Sequence, residues 1–78
     1  MEKIIVNGIY RHYRGNLYLV EGLALDTVTS EERVVYRALY GERKLWTQPM
    51  NRFLEIMDAP DYEYHGPRMT FVEVEEKK

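Results

Sequence analysis

The sequence predicts an all-β chain: about five short antiparallel strands curled into a small barrel, with one short helical turn near residues 49–52. Three observations carry this. Over the first two thirds of the chain, β-branched and aromatic residues follow the period-two pattern of half-buried strands. Gly15-Asn16 separates two aromatic-rich runs and reads as a tight hairpin turn. The chain has 78 residues, 45% of them hydrophobic, and no cysteine. Such a chain builds only a small core with no disulfide to staple it, so hiding sheet edges matters.

The elements follow in order. Residues 8–14 read as the first strand. Residues 17–25 read as the second, with Tyr18, Val20, Gly22 and Ala24 on one face and Leu17, Leu19, Glu21 and Leu23 on the other. Residues 26–32 form a polar connection. Residues 33–40 make the third strand: Val34-Val35-Tyr36-Arg37-Ala38-Leu39-Tyr40 has high β propensity and no breaker. Residues 41–44 turn the chain into a short fourth strand, 45–48, which Pro49 stops. Met50, Phe53, Leu54 and Met57 fall at helical spacing. The run also fits one helical turn followed by a strand over 53–57, and that is the reading preferred here. Residues 58–67 read as a loop punctuated by Pro60, Gly66 and Pro67. Residues 69–74 alternate and close the sheet, and 75–78 form a tail. Five strands of this length make an SH3-like barrel, the smallest closed all-β arrangement of this kind, and the whole chain, 1–78, a single domain.

Composition narrows the function classes. The net charge of −2 argues against duplex nucleic acid as a default partner. Residues 1–54 carry eight Lys/Arg against six Asp/Glu, and residues 55–78 carry three against seven, so the first part is the more basic. No apolar run approaches the roughly 20 residues that span a bilayer, and Met1-Glu2-Lys3-Ile4-Ile5-Val6 lacks the pattern of a secretion signal. The expectation is a cytoplasmic protein without a membrane partner. Two histidines without close ligand spacing and no cysteine do not make a metal-ligand set. Asp58, Asp61, Glu63 and His65 lack the glycine and register of a calcium loop. No nucleophile elbow or phosphate-cradling glycine loop is present, so neither a cofactor nor an enzymatic role is expected.

Gly8-Ile9-Tyr10-Arg11-His12-Tyr13-Arg14-Gly15-Asn16-Leu17-Tyr18, then Val34-Val35-Tyr36-Arg37-Ala38-Leu39-Tyr40-Gly41, then Leu45-Trp46 with Pro49 and Phe53, together resemble the DUF1653 family of bacterial domains of unknown function. The resemblance spans roughly residues 8–55 and implies an SH3-type barrel. It brings no activity with it. Gln48 stands where the family usually has arginine, Pro67-Arg68-Met69 stands for its Pro-Arg-Phe segment, and the stretch over 58–66 is longer than the family leads one to expect.

The remaining signal is the surplus of rings. Tyr10, Tyr13, Tyr18, Tyr36, Tyr40 and Trp46 come from four neighbouring strands, and strand alternation keeps some of them out of the core. A tyrosine-filled core with phenol tips at its rim is the plainer account. Arg37 distinguishes two packings. If Val35 and Leu39 point inward, Arg37 must reach a rim or a carboxylate. If Tyr36, Ala38 and Tyr40 point inward, Arg37 is exposed. His12 has an acid–base side chain near neutrality, but a hydrogen-bonded structural histidine beside a turn is the preferred reading. The functional expectation is a non-enzymatic module that engages a peptide or protein through Tyr10, His12, Arg14, Tyr36, Arg37, Trp46 and Arg68. Single-stranded nucleic acid on the same rings is the alternative, and a small enzyme using His12 the third. Oligomeric state is not legible in the sequence.

Overall fold

The Gly-Asn hairpin is present in the structure, a computed structural model that describes residues 4–75, but its turn sits earlier than expected. Strand β1 is Gly8–His12 and β2 is Leu17–Leu25, paired with Tyr10 opposite Tyr18. His12 N–H donates to the Asn16 carbonyl at 2.8 Å, and Gly15 N–H donates to the His12 carbonyl at 2.7 Å. The loop is therefore Tyr13-Arg14-Gly15. Gly15 takes the positive φ, +108°, that a three-residue hairpin demands of its last position.

The chain continues through β3 (Glu32–Ala38), β4 (Leu45–Pro49), the single helical turn α1 (Met50–Phe53), β5 (Ile56–Ala59), a 3-10 turn (Pro60–Tyr62), β6 (Tyr64–Pro67) and β7 (Met69–Val74). All ladders are antiparallel. Five strands make one sheet in the order β4-β3-β2-β1-β7, and β5 pairs with β6 in a second. The mainly β class and the short helical turn agree with the sequence reading. The main sheet, however, is open: β4 and β7 lie at its two edges and do not pair with each other. The count of about five strands describes the main sheet, not the chain.

The stretch after Pro49 holds the other differences. Phe53 ends α1, and the strand expected over 53–57 begins at Ile56. Residues 58–67, expected as a loop, instead complete a hairpin with Ile56 opposite Pro67 and Ala59 opposite Tyr64. Its punctuating residues serve the pairing. Pro60 opens the 3-10 turn, and the Tyr64 hydroxyl donates to the Pro67 carbonyl at 2.6 Å. That fold-back presses the Tyr64 ring on Gly66, where a Cβ would lie 3.0 Å from the phenol oxygen. Of the tail expected over 75–78, only Glu75 is among the described residues; its N–H donates to the Asn7 carbonyl at 2.8 Å.

Strand alternation puts Val34, Tyr36 and Ala38 on the inner face of β3, and Arg33, Val35 and Arg37 on the outer face. This settles the two packings: the Tyr36 side faces the core. A bulge at Glu21 shifts the phase of β2, so that Val20 opposes Tyr36 while Gly22 opposes Val35. The expected grouping of Gly22 and Ala24 with Tyr18 and Val20 is thereby broken. The core is Tyr10, Val20, Val34, Phe53 and Met69, with Ile4, Tyr18, Tyr36 and Met50 packed against it. Phe53, Val20 and Val34 have no exposed surface.

Phe53 seals one face of the sheet from a helix of four residues. Phe53→Ala should therefore cost about 3–5 kcal/mol, a large part of the stability of so small a domain. Urea unfolding, as the midpoint multiplied by the denaturant slope, reads this cost. Leu45→Ala, at a half-exposed edge position, should cost less than about 1 kcal/mol. Equal shifts for the two variants would contradict this assignment of the core.

Candidate functional site

Period-two alternation and antiparallel register bring His12 and Tyr10 of β1, Tyr18 of β2, Tyr36 of β3 and Trp46 of β4 to one face of the main sheet. Tyr10 opposes Tyr18, and Tyr36 opposes Trp46. A run of edge-to-face rings leads outward from the core. Phe53 meets Tyr10 at 5.2 Å and Tyr36 at 5.6 Å, Tyr36 meets Tyr18 at 5.3 Å, and Tyr18 meets Tyr40 at 5.6 Å. Such contacts are favourable beyond the area they bury. Exposure rises along the run: Phe53 is sealed, Tyr36 is half-buried and Tyr40 is 45% exposed; Trp46, opposite Tyr36 on β4, is 50% exposed.

The outer rings border a cleft of about 130 Å³, lined by Ala38, Tyr40, Trp46 and the turn Gly41, Glu42, Arg43 and Lys44. Ala38, a buried side chain, contributes only a methyl group to that wall. The hydroxyls of Tyr18 and Tyr40 share a hydrogen bond of 2.8 Å. Burial first, and then that bond, push the Tyr18 phenol up to about 12, so it stays neutral at physiological pH. Burial also raises Tyr36. Larger hollows lie elsewhere. One of about 310 Å³ is lined by Glu31, Glu32, Met50, Asn51 and Leu54, and one of about 350 Å³ lies beside Ile5, Leu54 and Phe71. Neither is lined by a cation, and the smaller cleft has the richer chemistry.

At the opposite end of this face, Arg68 is pinned by its backbone and its side chain. Its N–H donates to the Glu55 carbonyl at 2.8 Å, and its carbonyl accepts from Tyr13 N–H at 3.1 Å. Its guanidinium donates to Glu55 Oε1 at 2.6 Å. That hydrogen bond holds the Glu55 carboxyl below the usual carboxylate range. The Arg68 Nε is buried and has no hydrogen-bond partner among the described residues. His12 Nδ1 accepts the Arg14 backbone N–H at 3.1 Å, which leaves the ring proton of the neutral imidazole on Nε2. Burial, then the charges of Arg68 and Arg14, lower the His12 pKa. The His12 ring lies 4.3 Å from Tyr13, which in turn stacks on Tyr64 at 5.8 Å. The Arg14 guanidinium sits 5.7 Å from Tyr13 and 5.6 Å from Tyr62. These contacts tie the second sheet to the first hairpin.

The structure therefore divides the residues singled out from sequence. His12, Tyr36, Trp46 and Arg68 gather on or beside the inner face, and Arg14 stands at the hairpin tip. Two others do not belong with them. Tyr10 is 5% exposed and its hydroxyl accepts the Ile5 N–H at 3.1 Å, so it is a core residue. Arg37 is on the outer face, where it donates to Glu21 at 2.6 Å and to the Arg43 carbonyl at 2.8 Å. The set also lacked Tyr18 and Tyr40. Tyr40 lies two residues beyond the end of β3 but shares the parity of Tyr36 and Ala38 in the third strand as read from the sequence, 33–40, a signal present there. Among the described residues no three His, Asp or Glu side chains gather where they would hold a metal ion.

Comparison with known proteins agrees with this architecture. The profile of a family described as "Protein of unknown function (DUF1653)" matches residues 8–71. A crystal structure of a DUF1653 protein from Bordetella bronchiseptica superimposes with a TM-score of 0.78, at 32% sequence identity over 95% of this chain and 95% of that chain. No curated protein matches.

The lowered His12 pKa sets a pH dependence. The unfolded chain takes up its proton near 6.5, while the folded chain resists it until lower pH. In that interval the unfolded state binds more protons, so stability falls as pH drops through 6.5 and levels off below the folded value. The depressed carboxyls of Glu55 and Asp26 lose their contribution only at lower pH, below their ordinary values of 4.5 and 3.8. Urea midpoints should therefore decline as the pH falls through about 6.5 in the wild type. His12→Asn, which keeps an acceptor for the Arg14 N–H, should flatten that slope. An NMR titration placing His12 at or above 6.5 would contradict the reading.

Proposed function

We propose that this chain, which belongs to the DUF1653 family, is a non-enzymatic binding module that engages a peptide or protein partner through the aromatic cleft of its inner sheet face. One observation carries the reading. Tyr40 and Trp46, 45% and 50% exposed, border a cleft walled by Ala38 on the same sheet face as the sealed core. Fully burying a large apolar side chain contributes about 1.5–3 kcal/mol, and a domain this small forgoes roughly half of that at each of these half-exposed positions. A partner that covers the rings recovers that stabilisation, and half-open aromatic pairs of this kind are what binding hot spots are made of. The cleft accepts one apolar side chain. At its wall Lys44 pairs with Glu42, and Arg43 leaves that turn with a net positive charge that favours an acidic residue beside the apolar one.

Peptide display against the wild-type protein tests the reading. Enriched sequences should carry one large apolar residue flanked by Asp or Glu and should shift the Trp46 fluorescence. Trp46→Ala should weaken their binding at least tenfold, while Tyr40→Phe, which keeps the ring, should weaken it far less than Tyr40→Ala. Melting temperatures should stay within a few degrees. Peptides that bind Trp46→Ala as tightly as wild type, or a selection that enriches nothing, would overturn the proposal. Steeply salt-dependent binding of an oligonucleotide at the same rings would favour single-stranded nucleic acid instead.

A further inference from the structure

The hydrogen-bonding parity of β4 decides which of its backbone groups remain available. Ala38 N–H donates to the Lys44 carbonyl at 3.0 Å. Bonded and non-bonded pairs alternate along an antiparallel ladder. The register continues through Tyr36 opposite Trp46 and Val34 opposite Gln48, so these pairs also exchange backbone hydrogen bonds. Leu45, Thr47 and Pro49 then direct their backbone groups away from β3. Since β4 is an edge strand, they face the open side. Pro49 has no N–H to offer there, which explains how a proline ends this strand without breaking its ladder.

We infer that this edge takes up an extended acidic peptide by strand addition, with an apolar side chain of the peptide set against Trp46 and the adjoining cleft. The inference rests on the binding-module reading and specifies its mode. Leu45 and Thr47 offer matched donors and acceptors to a new strand, and the Trp46 ring projects from the residue between them on the cleft side. An added strand places alternate side chains on that same side. The edge is short and bounded: Pro49 and α1 end it on one side, and the turn with Arg43 and Lys44 ends it on the other. It suits a segment of a few residues rather than an extended sheet. Charge selects the occupant. At the turn end, Lys44 pairs with Glu42 at 3.5 Å and Arg43 adds a further positive charge. A peptide with aspartate there meets the opposite sign.

The test uses the full chain, labelled with 15N, and a pool of acetylated, amidated pentapeptides with aspartate at each end, β-branched residues next, and Phe, Tyr or Leu at the centre. The pool should slow amide exchange at Leu45 and Thr47 at least tenfold and should shift Trp46 fluorescence. The same pool N-methylated at alternate residues should lose at least tenfold in affinity, since it cannot complete the ladder. Fluorescence shifts without protection of the two amides, with the N-methylated pool binding equally well, would overturn strand addition while leaving the cleft reading in place. No response to either pool would overturn both. Protection of Leu45 and Thr47 that grows with protein concentration in the absence of peptide would assign the edge to a second copy and overturn the peptide as its occupant.

Discussion

The structure depends on covering one face of an open sheet with very little chain. Phe53 does most of this. It sits fully buried on a helical turn of four residues and meets Tyr10 and Tyr36 edge-on. Pro49 places that turn directly after β4, so the chain passes from edge strand to lid with no intervening loop. A lid this small has a limited reach. It closes over Val20, Val34 and Tyr10, and the same sheet face runs on beyond it to Tyr40 and Trp46.

The aromatic run follows from that geometry. Within the core the rings pack as hydrophobic bodies, and outside it they are amphipathic surfaces with phenol oxygens paired at their tips, as in the Tyr18–Tyr40 hydrogen bond. Core and candidate site are thus one array with a gradient of exposure, not separate constructions. A substitution at Tyr36 would act on both, because its ring touches Phe53 on one side and Tyr18 on the other. Tyr40 at the outer end of the array, and Trp46 lining the same cleft, are exposed enough to be changed without opening the core.

The second sheet has a different task. The β5–β6 hairpin is held by Arg68, which bonds Glu55 through both backbone and side chain, and by Tyr13 stacked on Tyr64. The glutamate–arginine pair joins the segment after α1 to the start of β7, so the lid and the far edge of the main sheet are tethered together. Among the described residues, the Nε of Arg68 is the one buried side-chain polar atom left without a hydrogen bond. The charge-assisted bond from Nη2 of the same guanidinium to Glu55 offsets part of that cost.

Much of the main sheet was legible in the sequence. The alternation in Val34 to Tyr40, the glycine turn after His12 and the closing run from Met69 to Val74 each reflect a local preference, and each has its place in the structure. The family resemblance lay in those same segments. The faces beyond Val20 were not legible, because a one-residue bulge at Glu21 inverts the alternation and is set by pairing with β3 rather than by local propensity. Nor was the β5–β6 hairpin, whose prolines and glycine read as loop until Tyr64 and Glu55 hold them. Tyr10 and Arg37 show the same division. Their residue types marked both as binding candidates, yet a sequence cannot say which face of a strand is covered. That was decided by Phe53, reaching over the sheet to bury Tyr10 and leaving Arg37 on the other face beside Glu21. Spacing along the chain sets which side chains share a face; only the packing of distant segments decides which face becomes the inside.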